Sequence, residues 1–177
     1  MKRFFIMLLA ALLLLCSCGS VSVETELTET HTISSYSVTV PTPVDWKAQN
    51  EDTEFDLYLG KEDETLFFGV FCYRDDEVKE DLTPADVFSL QNDDILSASD
   101  KTTDIRASKT EVKADRTVYS RICKTEEGTD EYAYYLGMVD FDGLLVWFVG
   151  STNVVLIEYY DDTFDAILLG IQATSKS

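Results

Sequence analysis

Leu66-Phe67-Phe68-Gly69-Val70-Phe71-Cys72-Tyr73 has the residue types of a β-strand but no polar side. Leu66, Phe68, Val70 and Cys72 fall on one face, and Phe67, Phe71 and Tyr73 on the other. A strand that is apolar on both faces needs cover above and below. It therefore belongs in the middle of a sheet, in a fold of three layers. Residues 144–149 repeat the pattern between Gly143 and Gly150: Leu144, Val146 and Phe148 oppose Leu145, Trp147 and Val149. This run is too short to cross a bilayer and reads as a second central strand.

Two segments have the spacing of helices that supply the covers. Thr83 is placed to cap a helix, Pro84 suits its first position, and Asp86 stands where a capping-box carboxylate belongs. With Val87, Phe88, Leu90 and Ile95 as the apolar stripe, a helix is predicted from Pro84 to Leu96, followed by a polar loop over 97–103. Near the C-terminus, Leu156, Tyr160, Phe164, Ile167, Leu168 and Ile171 recur at steps of three and four, after Ser151, Thr152 and Asn153, any of which can cap.

Between the helices, residues 105–112, 117–124 and 132–139 read as an antiparallel meander with polar turns at 113–115 and 126–129. Asp142-Gly143 is a hairpin dipeptide that should pair the last of these with 144–149. Upstream, Tyr36, Val38 and Val40 alternate with Ser37 and Thr39, and Pro41 and Pro43 end that strand. Phe55, Leu57 and Leu59 alternate with Glu54, Asp56 and Tyr58, and the two runs are expected to pair antiparallel. The expected fold class is α+β: a mainly antiparallel sheet of about six to seven strands with helices on both faces.

That order of elements resembles the PsbP-like fold. So do three local marks: Pro41 through Trp46 after the first strand, Leu82-Thr83-Pro84 opening the first helix, and Phe164 with Ile167 in the last. This fold is an α/β/α sandwich found in the photosystem II extrinsic protein and in many bacterial envelope proteins. The resemblance spans Ile33 to Ala173 and implies a fold, not an activity. No residues match a family binding motif, so manganese or calcium chemistry does not transfer with it.

The N-terminus has a different character. Lys2 and Arg3 precede an apolar run from Phe4 to Leu15, which ends at Leu15-Cys16-Ser17-Cys18. The run is shorter than the ~20 residues of a membrane-spanning helix. It resembles the signal peptide and lipobox of bacterial lipoproteins, where a leucine three positions ahead and a small residue just ahead direct cleavage before a cysteine that takes diacylglycerol. Those requirements fit Cys18. Cys16 fits worse, because Leu15 would occupy the small-residue position. The resemblance implies a signal peptide over 1–17, a lipidated Cys18 with a flexible tether over 18–32, and one globular domain over 33–177. His31, the single histidine of the chain, falls in the tether and is expected to be solvated.

Net charge is -19 over 177 residues, and removal of Lys2 and Arg3 takes it to -21. With 33 acidic residues, the chain lacks the clustered cations that bind nucleic acid or anionic lipid, so nucleic acid is not an expected partner. Membrane attachment is then expected through the acyl chains on Cys18. Hydrophobic residues at 45% and aromatics at 12% place the chain among folded domains despite the acidity. Cys72 and Cys123 remain after processing. In an oxidising compartment they form either a disulfide or two buried thiols, and their spacing does not decide which.

With its one histidine in the tether, the domain has no Ser-His or Cys-His arrangement, and it shows no phosphate loop or nucleophile elbow. Carboxylate pairs are the remaining hydrolytic chemistry. Asp75-Asp76-Glu77 and the group Asp161, Asp162 and Asp165 were weighed as calcium ligands, but neither has the alternating spacing and glycine of a calcium loop. Tyr119, Tyr132, Tyr134 and Trp147 suit a ligand platform or, better, packing under a helix. The expectation is a non-enzymatic envelope lipoprotein that binds another envelope protein, with no catalytic, cofactor or metal residues assigned. The alternatives are a carboxylate-based hydrolase and a weak calcium-binding surface protein.

Overall fold

A computed structural model describes residues 26–49, 54–61 and 65–174. The lipobox and Cys18 lie outside the described residues. Ten strands and two α-helices follow in the order β1 Glu29–Ile33, β2 Val38–Thr42, β3 Lys47–Ala48, β4 Leu57–Gly60, β5 Leu66–Arg74, α1 Pro84–Leu96, β6 Lys101–Val112, β7 Thr117–Glu127, β8 Asp130–Asp140, β9 Leu144–Asn153, α2 Ile157–Gly170 and β10 Gln172–Ala173. Seven strands form one antiparallel sheet, β3-β4-β5-β9-β8-β7-β6, and three form a second, β1-β2-β10.

The two doubly apolar strands are neighbours in the interior of the large sheet, with Phe68 opposite Gly150 and Val70 opposite Phe148. Their side chains divide by parity. Val146 and Phe148 join Phe68, Val70, Cys72 and Tyr135 in a core layer with Ile157, Tyr160, Phe164, Ile167 and Leu168 of α2. Leu145, Trp147 and Val149 join Tyr119, Leu136 and Met138 in another, with Val87, Phe88 and Leu96 of α1. Within the second layer, Asn92 of α1 reaches the indole N–H of Trp147.

Local chemistry sets the helix ends. The Thr83 hydroxyl accepts from the Asp86 N–H at 3.2 Å, and the Asp86 carboxylate accepts from the Thr83 N–H at 2.9 Å. The Asp86 carboxylate also accepts from the Thr83 hydroxyl at 2.6 Å, and this bond first, with the one from the Thr83 N–H second, holds its pKa below the ordinary value. Asn153 caps a short 3₁₀ turn, Val154–Leu156, that leads into α2, its side chain accepting from the Val155 N–H at 3.1 Å. Asp142 and Gly143 have φ of 58° and 110°, as a two-residue hairpin with positive φ at both central positions requires. Among the described residues, no helix is long and apolar enough to cross a membrane.

Four expectations need correction. The strand at Val38 does not pair with the one at Leu57: β2 lies between β1 and β10, while β4 pairs with β5 and β3. Its partner β1 occupies residues 29–33, so the end of the expected tether is strand. Its side chains are polar on both faces up to Ile33, with Thr30 and Thr32 exposed and Glu29 and His31 half-buried, so no apolar alternation marked it. His31 is accordingly half-buried, with Nε2 3.9 Å from the Glu29 carboxylate. The strand read over 105–112 begins earlier, so the expected loop over 97–103 gives way to β6 at Lys101; Lys101 to Asp104 are all exposed on this edge strand, and no apolar alternation marks them.

The Cys72–Cys123 bridge, left open by the sequence, is not formed. Both are free buried thiols, on β5 and β7, with β9 and β8 between them. Three strand spacings of ~4.8 Å put their strands about 14 Å apart, and the register aligns Cys123 with Phe67 rather than Cys72, so the pair lies well beyond the ~7 Å limit for bridged Cα atoms. Finally, Phe67 is 42% exposed, and Phe71 and Tyr73 on the same face of β5 are only partly buried. The Phe67 ring stacks on Tyr58 at a centroid distance of 6.2 Å, at the β4 side of the sheet.

Candidate binding cleft

The residues weighed from sequence do not converge on one site. Trp147 and Tyr119 are buried in the α1 layer, Tyr134 packs beside them, and Tyr132 is 37% exposed. They form no open platform. In the first acidic run, the Glu77 carboxylate accepts from the Arg74 N–H at 2.7 Å and from the Tyr36 hydroxyl at 3.3 Å. In the second, Asp165 is held by Arg106 in a two-pronged pair, Nη1 to Oδ2 at 2.9 Å and Nη2 to Oδ1 at 2.8 Å, and also accepts from the Tyr135 hydroxyl. Burial and the neighbouring Asp162 and Asp165 raise the pKa of Asp161, but Asp165 is committed to Arg106 and Tyr135. Among the described residues, no group of three or more His, Cys, Asp or Glu is placed to hold a metal ion.

What the fold does assemble is a cleft of about 580 Å³ at one end of the large sheet. Its walls come from the β1–β2 turn, the end of β5, the β6–β7 turn, the β8–β9 turn and β10. Arg74 is the last residue of β5, where the hydrophobic alternation of the strand runs out. Its guanidinium lies 4.7 Å from the centre of the Tyr36 ring and donates to the Ser35 carbonyl. Arg116 mirrors it from the β6–β7 turn, lying 5.1 Å from the Phe141 ring centre and donating to the Ile171 carbonyl at 2.6 Å. Each guanidinium thus lies over an aromatic ring, a contact that helps hold it without spending every donor.

Their charges are balanced differently. Arg116 donates to Asp115 at 2.7 Å, and that bond keeps the Asp115 carboxyl below its ordinary pKa. Arg106 is paired with Asp165 and Arg121 with Asp104. Of the four described arginines, Arg74 alone forms no ion pair with a described carboxylate. The Tyr36 phenol beside it is raised in pKa, by burial first and then by the Glu77 charge, so it stays neutral and presents an uncharged ring to the cation.

Sequence reasoning missed this cleft because its residues lie at 36, 74, 116, 141 and 172–174, with no spacing that joins them. The usable signal was the scarcity of arginine in so acidic a chain, together with its position at strand ends.

No protein-family model matches the chain, and no curated protein matches it in sequence. Solved structures do resemble it. The solution structure of cyanobacterial PsbP (CyanoP) from Synechocystis sp. PCC 6803 aligns with a TM-score of 0.66 and 14% identity, over 89% of this chain and 98% of that one. LpqN of Mycobacterium tuberculosis, described as involved in cell envelope biogenesis, aligns with a TM-score of 0.61 and 10% identity, over 78% of this chain and 83% of that one. At these identities the likeness concerns the fold alone. The described domain has a PsbP-like fold, mostly antiparallel sheet with two helices.

Proposed function

We propose that this chain is an exported lipoprotein, tethered through acyl chains on Cys18 to the outer side of the cytoplasmic membrane or another layer of the bacterial envelope. Its domain is an α/β/α sandwich, with α1 and α2 on opposite faces of the large sheet, and acts as a non-enzymatic accessory module that binds another envelope protein. One observation carries the binding role: an end cleft with two ring-backed guanidiniums, one of them without a carboxylate, in a chain of net charge -19. An arginine kept free in so acidic a protein is a group reserved for a partner. The envelope setting is supported by the lipobox at Leu15 to Cys18 and by the fold shared with a protein described as involved in cell envelope biogenesis.

Two experiments test the reading. Cys18→Ala should move the protein out of the membrane fraction or leave its leader uncleaved; full membrane retention would refute the lipid anchor. Affinity capture of the tagged full chain from solubilised membranes should return a reproducible envelope protein, and repeated failure to do so removes the accessory role. A carboxylate hydrolase gains no support from the Asp161–Asp165 pair, since Asp165 already serves Arg106 and Tyr135.

A further inference from the structure

We propose that the end cleft receives an extended peptide by its terminal carboxylate, with Arg74 as the carboxylate-binding residue and β10 as the edge along which the peptide lies. The inference rests on the accessory-module reading and names the chemistry of the partner.

Two independent features point there. The first is Arg74. A guanidinium has five N–H donors in a planar fork that matches a carboxylate. That of Arg74 is oriented by the Tyr36 ring and by the Ser35 carbonyl, yet it is paired with no described carboxylate. Arg116, across the same cleft, is already neutralised by Asp115 and occupied by the Ile171 carbonyl. Among the described residues the cleft therefore offers one cation with no carboxylate partner, suited to one carboxylate.

The second feature is the small sheet. Its order is β1-β2-β10, so among the described residues β10 pairs on one side only. Gln172, Ala173 and Thr174 line the cleft that Arg74 also lines. Next to β10 the Ile171 N–H and carbonyl are spent on Ile167 and Arg116 and the Thr174 N–H on Ser37, so the free edge beside Arg74 is that of the two residues of β10, a short site for the backbone-led mode of peptide capture. The field of the whole protein separates this ligand from a small anion. At net charge -19, free anions are repelled from the surface, so a lone phosphate or acetate has little beyond Arg74 to hold it. A peptide adds backbone hydrogen bonds that do not depend on charge.

The test uses the full chain in detergent micelles and a fluorescent strand-forming hexapeptide, Ala-Thr-Val-Thr-Val-Ala, with either a free C-terminal carboxylate or a C-terminal amide, followed by anisotropy at up to millimolar protein. The free acid should bind roughly ten- to a hundred-fold more tightly than the amide, the range expected for a charge-assisted hydrogen bond. Arg74→Gln should bring the acid down to the level of the amide, and Arg74→Lys should fall between, since it keeps the charge without the fork. Inorganic phosphate at the peptide's concentration should not displace it. Equal binding of acid and amide, or no binding of either, overturns the proposal, and that comparison needs no variant to fold. Displacement of the peptide by equimolar phosphate also overturns it, in favour of a small-oxyanion site. If the proposal fails while the full chain still captures a membrane partner, the accessory reading stands; if capture fails too, both fall.

Discussion

Phe164 of α2 lies directly on Gly150 of β9: a Cβ built on Gly150 would come within 2.2 Å of the Phe164 ring. Phe68 and Tyr135 flank Gly150 on the adjoining strands, and both of their rings contact Phe164. The missing side chain is thus a socket between two aromatic walls, and it sets how close α2 comes to the sheet.

Gly150→Ala should therefore destabilise the domain by about 2–3 kcal/mol through overpacking, read as a lowered urea midpoint with unchanged slope. In a Phe164→Leu background the same substitution should cost less than half as much, because the clashing ring is gone. Additive effects of the two changes would show that the ring is not the obstacle.

In the core layer that holds α1, the Trp147 indole N–H donates to Asn92 Oδ1 at 3.2 Å, both groups being buried. Asn92→Leu should cost about 1–3 kcal/mol, because it strands the indole N–H without water. Adding Trp147→Phe removes the stranded donor as well, and the double variant should lose less stability than the two single losses combined. Chemical denaturation of the four proteins in the cycle decides it.

Tyr135 is fully buried and spends its hydroxyl on Asp165, which also holds Arg106 of the edge strand β6. Burial first, and then the Asp165 carboxylate, push the Tyr135 phenol far above its usual pKa. Tyr135→Phe should cost about 1–2 kcal/mol, and Asp165→Ala more, since it leaves both partners unmet. Arg106→Ala should cost under about 1 kcal/mol, because the pair is about a third exposed. It should nevertheless speed amide exchange along β6, which loses its side-chain tie to α2.

Burial pushes the Cys123 thiol up to about 11 and the Cys72 thiol up to about 12. In the unfolded chain each ionises near 9.0, so the folded state binds more protons above that pH. Stability carried by the two thiols is complete below pH ~9 and is lost as pH rises from there through the folded values, with a slope approaching about 1.4 kcal/mol per pH unit for each. The Cys72→Ala, Cys123→Ala protein should show a shallower alkaline decline in thermal stability than the parent. At pH 8 a thiol reagent should label neither cysteine in the native fold and both after unfolding. Rapid native labelling would contradict their burial.

The core was legible from strand alternation. Leu66, Phe68, Val70 and Cys72 announced a buried face, as did Val146 and Phe148 on their neighbour, because period-two burial leaves its mark on every residue. The cap at Thr83 and the hairpin at Asp142-Gly143 were equally readable, since each depends on chemistry within three residues. β1 and the start of β6 were not: segments that bury little, such as Lys101 to Asp104 ahead of the strand read over 105–112, carry no apolar signature, and their pairing depends on the partner whose backbone they complete. Pairing of β2 with β10 joins residues 38–39 to 172–173, a contact with no local trace.

By itself, the sequence determined which segments are buried, where the two described helices lie, the acidity of the chain and the resemblance of Leu15 to Cys18 to a lipobox, because each of these is a property of neighbours along the chain. The tertiary structure decided the strand order, kept Cys72 and Cys123 apart across the sheet, and left Arg74 without a counter-ion among the described residues, beside the edge of β10. Those facts depend on residues far apart in sequence meeting at the end of one sheet, where packing and charge balance are settled by the whole fold.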